Sequence, residues 1–98
     1  MLWAVWCEDG KDIGDVRREN GPAHSRHLDN ATIPLVIAGP LTTDNGEQAS
    51  GSLLIFEAPD RAAVRTQMET DPFVLSGVWN SVHISAFRLS RETISRKE

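Results

Sequence analysis

The chain has 98 residues, with 40% hydrophobic and 24% charged side chains and a net charge of −4 at pH 7. This length and this hydrophobic share predict one folded domain and are not typical of a disordered chain. The acidic balance argues against a nucleic-acid-binding protein, which would need a strongly basic face.

The cysteine count and the short apolar segments limit the class of protein further. Because Cys7 is the single cysteine, neither an internal disulfide nor a cysteine-based zinc site can form. The apolar segment Leu2–Cys7 has no basic segment before it and is too short for a signal peptide. No segment approaches the roughly 20 apolar residues of a membrane-spanning helix. We therefore expect a soluble cytoplasmic protein with no membrane partner.

Four segments rich in branched and aromatic residues predict β-strands. They are residues 2–7, 33–38, 53–57 and 78–89. Gly39-Pro40-Leu41 and the polar stretch that runs on to Ser50 are interpreted as a long connection between the second and third strands. In the last strand, alternation places Trp79 and Phe87 on one face of the sheet and Val82 on the other.

Two helices are predicted between these strands. Lys11–Glu19 is mostly polar and is interpreted as a loop or a weak helical segment, interrupted by Asn20-Gly21-Pro22. The first helix is predicted from that proline to Asn30, with the asparagine side chain as its cap. This interpretation places His24 just inside the first turn. A second helix is predicted over Arg61–Glu69, with the preceding aspartate as its cap.

The element order β-α-β-β-α-β predicts a ferredoxin-like α+β fold, in which the helices cover one face of a four-stranded antiparallel sheet. The other face is left bare, although the first and third strands are apolar on both sides and Trp79 and Phe87 are expected there. An apolar surface of this size is unusual on a soluble monomer. We therefore predict a homodimer, barrel-like, that pairs the two bare sheet faces. Residues 1–89 form the predicted domain and residues 90–98 a polar tail.

Several short motifs, in order along the chain, resemble the YciI-like (YCII-related) family of small α+β proteins. They are Pro22-Ala23-His24, Gly39-Pro40-Leu41, Gly51-Ser52, Asp71-Pro72-Phe73 and Gly77-Val78. The resemblance implies a dimeric ferredoxin-like fold, related to the muconolactone-isomerase type, and an active site made of a histidine and an aspartate, here His24 and Asp71. One type of relative is a dehydrochlorinase that acts on a chlorinated hydroxyhydroquinone. The family commonly has an arginine three residues before the histidine. This chain has Gly21 there, so Arg17 or Arg18 is the expected replacement as an anion contact.

His24 and Asp71 suit acid–base chemistry. Histidine changes its charge near neutral pH, and a carboxylate on one ring nitrogen would favour the imidazolium that forms when the other nitrogen takes a proton. Such a pair can remove HCl from an activated ring, or isomerise it, without a metal or a redox cofactor, so we expect neither. The alternative is a hydrogen bond that only fixes the helix to the turn. Asp71, which precedes a proline, could equally be a turn residue bonded to its own backbone two residues on.

Four further residues are expected to bind the substrate: Ser52, Gly39, Pro40 and Arg18. Ser52 follows a glycine at the start of a strand, where its hydroxyl could hold a substrate oxygen, although a Gly-Ser pair is more often only turn chemistry. Gly39 and Pro40 are expected to shape the wall of the site. No metal site is predicted, because His24 and His27 lack further ligands at a suitable spacing.

Three classes of function are consistent with the sequence. The leading hypothesis is a small dimeric enzyme, a lyase of the dehydrochlorinase type or an isomerase, that acts on a small polar or aromatic molecule. The alternatives are a non-catalytic small-ligand-binding or regulatory dimer and a structural dimerisation module. Turnover that depends on His24 and Asp71 would separate the first from the other two.

Overall fold

The computed structural model of the chain describes residues 1–92, so part of the predicted polar tail, residues 93–98, lies outside the described residues. The elements are β1 (Leu2–Asp9), α1 (Gly14–Asp29), β2 (Leu35–Thr42), β3 (Ala49–Glu57), α2 (Arg61–Glu69), α3 (Pro72–Leu75) and β4 (Trp79–Phe87). Within residues 1–92, none of the helices combines the length and the apolar character needed to cross a bilayer.

The four strands form one sheet in the order β2-β3-β1-β4, and all neighbouring strands are antiparallel. This is the ferredoxin-like topology, so the predicted fold is confirmed. The hydrophobic core lies between the sheet and the helices, and β1 shows how the strands supply it: Trp3, Val5 and Cys7 are buried, whereas the residues between them are not. From the helices, α2 adds Val64 and Met68 to this core.

The first helix differs from the prediction, because α1 is continuous through Pro22. Asn20 is not a cap; its amide donates to the carbonyl of Val16 at 2.8 Å, inside the helix. Pro22 leaves the carbonyl four residues earlier without its N–H donor. Two features oppose this loss: Gly21 lacks the Cβ that would clash with the proline ring in a helical backbone, and apolar side chains before and after Pro22, including Val16 and Leu28, pack on the core. His24 therefore lies in the second half of a 16-residue helix.

The boundaries of β2 also differ from the prediction. Gly39 and Pro40 belong to the strand and pair with Leu53 and Ser52 of β3. Proline is tolerated there because β2 is an edge strand, where a missing backbone N–H need not break a ladder. The β2–β3 connection is thus shorter than the sequence predicted.

The prediction that Trp79 lies on the bare face of the sheet is wrong. Glu8 pairs with Ser81 but Asp9 pairs with Trp79, so β4 has one extra residue, Asn80, at this point. A bulge of this kind reverses the alternation of side chains beyond it. Trp79 is therefore buried on the helix side of the sheet.

The opposite face of the sheet, which we call the open face, is not covered by the three helices. Its exposed apolar residues include Trp6, Ile37, Leu41 and Phe87, and Ile37 is 54% exposed. Trp6 stacks on the ring of His83 with the ring centroids 5.0 Å apart. The expectation of an apolar open face is therefore confirmed within residues 1–92, with Trp6 rather than Trp79 as its large aromatic residue.

Candidate active site

A cavity of about 270 Å³ lies between the helices and the edge of the sheet. Its polar and aromatic lining comes from α1, β3 and α3, and β2 supplies part of its wall. The residues used below are Arg17, His24, Gly39, Pro40, Ser52 and Phe73. Of the expected site residues, His24, Ser52, Gly39 and Pro40 therefore meet at one cavity.

His24 and Asp71 are in direct contact. Nδ1 of His24 lies 2.8 Å from Oδ1 and 2.9 Å from Oδ2 of Asp71. The carboxylate is fully buried, whereas the histidine side chain is 16% exposed. Oδ1 also accepts the backbone N–H of Phe73 at 2.9 Å and so caps α3. Asp71 therefore makes both contacts that the sequence left open as alternatives: it caps the turn and it bonds to His24.

This contact fixes the tautomer of the His24 ring. A carboxylate can only accept hydrogen bonds, so Nδ1 must carry the proton that it donates to Asp71. In the neutral ring, Nε2 is then the nitrogen with a free lone pair. Nε2 has no hydrogen-bond partner within residues 1–92, and His24 borders the cavity. The arrangement leaves a base available to a bound molecule.

Two aromatic rings hold the imidazole in place. Phe73 stacks on His24 with the centroids 4.0 Å apart and the planes 9° from parallel. Trp79 meets the same ring edge-on at 5.5 Å. Trp79 was not among the predicted site residues, because only the bulge in β4 turns it to this side of the sheet, and no local sequence pattern predicts the extra residue.

Ser52 is buried and borders the cavity. Its hydroxyl oxygen accepts the indole N–H of Trp79 at 3.1 Å, so its own proton remains available to donate. The preceding Gly51 is explained by strand packing, because a Cβ there would overlap the carbonyl oxygen of Cys7. Gly51 is therefore explained by the close approach of β1, whereas Ser52 bonds to Trp79 and borders the cavity.

The structure places the two candidate arginines differently. Arg18 does not border the cavity; its side chain is 74% exposed and pairs with Asp15 one turn away. Arg18 is therefore not brought to the cavity with the other expected residues, since it lies on a different side of α1. Arg17 does border the cavity, together with His24 seven residues on, which lies on the same stripe of the helix. Its guanidinium donates to the carbonyl of Gly51 at 3.1 Å.

Buried acidic groups shape the electrostatics beside the cavity. Burial, with smaller contributions from the charges of Asp71 and Asp9, raises the pKa of the Cys7 thiol to about 12. Cys7 is therefore a buried thiol rather than a nucleophile at neutral pH. Burial also raises the pKa of Asp9, and the nearby guanidinium of Arg17 partly opposes that shift.

No group of three or more His, Cys, Asp or Glu side chains within residues 1–92 is arranged to hold a metal ion. His27, the second histidine of α1, points elsewhere: its Nε2 lies 2.9 Å from the carbonyl oxygen of Gln67 on α2, to which it can donate. His24 and His27 therefore do not act together.

Known proteins share both the sequence pattern and the fold. The YCII-related domain matches residues 1–88. Protein YciI from Escherichia coli O6:H1 is 28% identical over 95 residues, which cover 90% of this chain and 97% of that protein. The structure of a 5-chloro-2-hydroxyhydroquinone dehydrochlorinase from Burkholderia phenoliruptrix, in complex with 2,5-dihydroxybenzoquinone, is 26% identical with a TM-score of 0.80, over 90% of this chain and 94% of that one.

More distant structures share the architecture alone. An antibiotic biosynthesis monooxygenase is 12% identical with a TM-score of 0.58, over 93% of this chain and 100% of that chain. At this identity the likeness is one of fold and carries no function. The match over residues 1–88, by contrast, includes both partners of the histidine–aspartate pair. The chain belongs to the YCII-related domain family.

Proposed function

We propose that this protein is a cofactor-independent acid–base enzyme, a lyase of the dehydrochlorinase type or an isomerase, that acts on a small polar or aromatic molecule in the cavity. The observation that carries the proposal is the bond between Nδ1 of His24 and the buried carboxylate of Asp71 at 2.8 Å. A histidine held in this tautomer at a cavity wall is suited to general-base chemistry, which typically contributes about 10²- to 10⁴-fold in rate.

In the proposed reaction, Nε2 of His24 takes a proton from a hydroxyl or an activated carbon of the substrate. When a ring hydroxyl is the donor, that proton is returned to the ring carbon that bears chlorine, which becomes tetrahedral in a keto tautomer. Loss of a proton from a second ring hydroxyl then forms a second C=O bond, and the electron pair displaced through the ring forms a C=C bond to the chlorinated carbon and expels chloride. HCl is lost overall, the product is a hydroxyquinone, and no external oxidant or reductant is needed. The resulting imidazolium is stabilised by Asp71, whose two oxygens face the protonated Nδ1. An isomerisation would use the same proton removal and return the proton at another atom.

The substrate class is suggested by the dehydrochlorinase structure, whose name gives a chlorinated hydroxyhydroquinone as substrate and whose bound molecule is a dihydroxyquinone. The cavity of this chain has a stacked aromatic wall and a serine hydroxyl, which suit a flat ring with oxygen substituents. Gly39 and Pro40 would form the wall of β2 against that ring.

The test is turnover of a panel of chlorinated hydroquinones and hydroxyhydroquinones, measured as chloride release. We expect His24→Gln and Asp71→Asn each to lower turnover by about 10²- to 10⁴-fold, while thermal unfolding shows a folded protein. His27→Gln is the matched control, because this histidine lies on the same helix but bonds to α2. A ligand that binds the wild-type protein tightly and is never converted would instead indicate the non-catalytic binding function.

The proposed assembly is a homodimer in which the open faces of two copies pack together. Its support is the exposed apolar character of Trp6, Ile37, Leu41 and Phe87 on a single face of the sheet. Contiguous apolar surface of this kind marks an interaction site on a protein that is otherwise polar outside. A two-fold pair of the same face would bury the whole patch with one interface.

A further inference from the structure

Asp9 and Arg17 form a partly buried charge pair beside the cavity. Nη1 of Arg17 lies 3.3 Å from Oδ1 of Asp9, and the side chains are 17% and 6% exposed, respectively. The same guanidinium lies 4.9 Å from the centroid of the Phe73 ring, which stacks on His24. The pair therefore reaches the reacting part of the site through one aromatic ring.

Both members of the pair have unused hydrogen-bonding capacity. Oδ2 of Asp9 is buried and has no hydrogen-bond partner within residues 1–92. An ionised buried oxygen without a partner is costly, so its presence beside the cavity requires an explanation. Arg17 has five N–H donors, and within the described residues its hydrogen bonds go to Asp9 and to the Gly51 carbonyl. Since Arg17 borders the cavity, donors remain for a bound molecule.

The charged side chains around Arg17 do not balance one another. Asp9 and Asp71 are acidic, both act on the buried thiol of Cys7, and Arg17 is the cation of the cavity lining. With both carboxylates ionised and His24 neutral, the group carries one excess negative charge. An anionic ligand would add a second, and like charges in a buried site repel strongly. A proton on Asp9 would lower the excess from two negative charges to one and release Arg17 for the ligand.

We propose that Arg17 recognises an ionised oxygen of the ligand, and that Asp9 competes for the same guanidinium and takes up a proton when the ligand binds. This inference rests on the function proposed above and narrows it to a ligand class: small molecules that carry a phenolate, an enolate or a carboxylate. Arg17 is then a binding residue, and Asp9 is a positioning residue that acts through Arg17.

The test compares two quinones by isothermal titration calorimetry. The probe 2,5-dihydroxybenzoquinone is anionic at neutral pH, and 2,5-dimethoxybenzoquinone has the same ring without ionisable hydroxyls. We expect Arg17→Gln to weaken binding of the anionic probe by about 10- to 100-fold, as for a lost charge-assisted hydrogen bond, and to leave binding of the dimethoxy compound unchanged. Arg17→Lys keeps the charge but not the planar fork, so its affinity for the anionic probe should lie between those of the wild type and Arg17→Gln.

Substitution of Asp9 is expected to change the affinity for the anionic probe in the opposite direction. Asp9→Asn removes the competing charge and should tighten binding of the anionic probe by about three- to tenfold. It should also abolish the proton uptake that wild type shows when titrations in buffers of different ionisation enthalpy are compared. Damage to the fold would weaken binding, so an increase in affinity has no merely structural explanation. Asp9→Ser is the second variant, should the asparagine not be tolerated.

Three outcomes would overturn the inference: an Arg17→Gln protein that binds both quinones as wild type does, one that loses both equally, or an Asp9 variant that binds the anion more weakly. If no Asp9 variant folds, proton uptake is measured in His24→Gln, where the imidazole cannot contribute, and its absence overturns the inference. Loss of turnover is a separate result: a protein without chloride release that still discriminates the two quinones contradicts the proposed reaction and supports the anion site.

Discussion

Both carboxylate oxygens of Asp71 lie within hydrogen-bonding distance of one atom, Nδ1 of His24, although the two residues are 47 positions apart in the chain. The same aspartate accepts the backbone N–H of Phe73 and begins α3. One buried side chain thus sets both the tautomer of the imidazole and the position of the ring that stacks on it. The chemistry of the site and the local fold depend on a shared group.

We expect Asp71→Asn to reduce turnover by about 10²- to 10⁴-fold, in the range of general-base catalysis, with a much smaller loss of stability. The asparagine oxygen can still accept the N–H of Phe73 and cap α3. Its amide would donate to Nδ1 of His24 and move the ring proton to Nε2, so the base would be lost. Chloride release and thermal unfolding, measured on the same preparation, check the two parts.

Asp60→Asn is the matched control for Asp71→Asn. Asp60 caps α2 by accepting the N–H of Ala63 at 2.9 Å, the same role that Asp71 has for α3, and it borders neither His24 nor the cavity. Turnover should be unchanged in this variant. Equal losses of turnover in both variants would mean that Asp71 acts on the fold and not on the histidine.

The histidine–aspartate contact illustrates what the sequence could predict. The order of strands and helices follows from hydrophobic patterns, and the topology follows from that order. The pairing of His24 with Asp71 came from the family motifs, because no local pattern relates a residue on α1 to one before α3. Periodicity alone left the turn-cap interpretation of Asp71 open, and the structure shows that cap as well.

What the sequence could not predict depended on tertiary contacts. The Gly21-Pro22 pair predicts a helix break, but α1 is continuous there because Val16 and Leu28, on either side of it, pack on the core. Trp79 reads as a residue of the bare face, but one extra residue in β4 turns it towards Ser52 and His24. Neither a β-bulge nor a proline held within a helix by packing leaves a signature in a single sequence, and both lie next to the site.

The two prolines of the helices should have opposite effects on stability. Pro22 is inside α1, where it removes a hydrogen bond, so we expect Pro22→Ala to raise the free energy of unfolding by about 1–3 kcal/mol. Pro72 is in the first turn of α3, where no N–H donor is lost. Pro72→Ala should lower the free energy of unfolding by about 0.4–1 kcal/mol, through the greater freedom of the unfolded chain.

Urea unfolding of the wild type and the two proline variants measures both effects in one series. Since Pro22 is exposed, its replacement by alanine leaves no cavity in the core. A Pro22→Ala protein less stable than the wild type would mean that the proline is required for the course of α1, and not merely tolerated in it.

The proposed dimer predicts that a charge on the open face separates the subunits. Ile55 lies on this face of the central strand β3, between Ala4 of β1 and Ile37 of β2. A lysine there would be desolvated without a partner in the dimer, so Ile55→Lys should be a monomer by sedimentation velocity at concentrations where the wild type is a dimer. The matched control is Leu75→Lys on α3, since Leu75 is 73% exposed and distant from the sheet face. A wild-type protein that is monomeric at micromolar concentration contradicts the dimer.

Asp9 predicts how stability depends on pH, because burial raises its pKa above the value of 3.8 that an unperturbed aspartate has. The unfolded chain loses this proton first as the pH rises. The contribution of Asp9 to stability is therefore fully present below about pH 4 and is lost as the pH rises through the pKa of the folded state. Asp9→Asn has no such loss. The difference in Tm between Asp9→Asn and wild type should thus shift in favour of the variant from pH 4 to pH 7.

The comparison across pH removes any constant effect of the substitution on packing or on Arg17. Asp15→Asn is the control, because Asp15 is an exposed carboxylate paired with Arg18 on the outside of α1, and its Tm difference should change little with pH. If the Asp9→Asn difference is the same at both pH values, Asp9 titrates alike in the folded and unfolded chains. The buried carboxyl then has no free-energy reason to take up a proton, and the competition between Asp9 and a bound anion for Arg17 loses its basis.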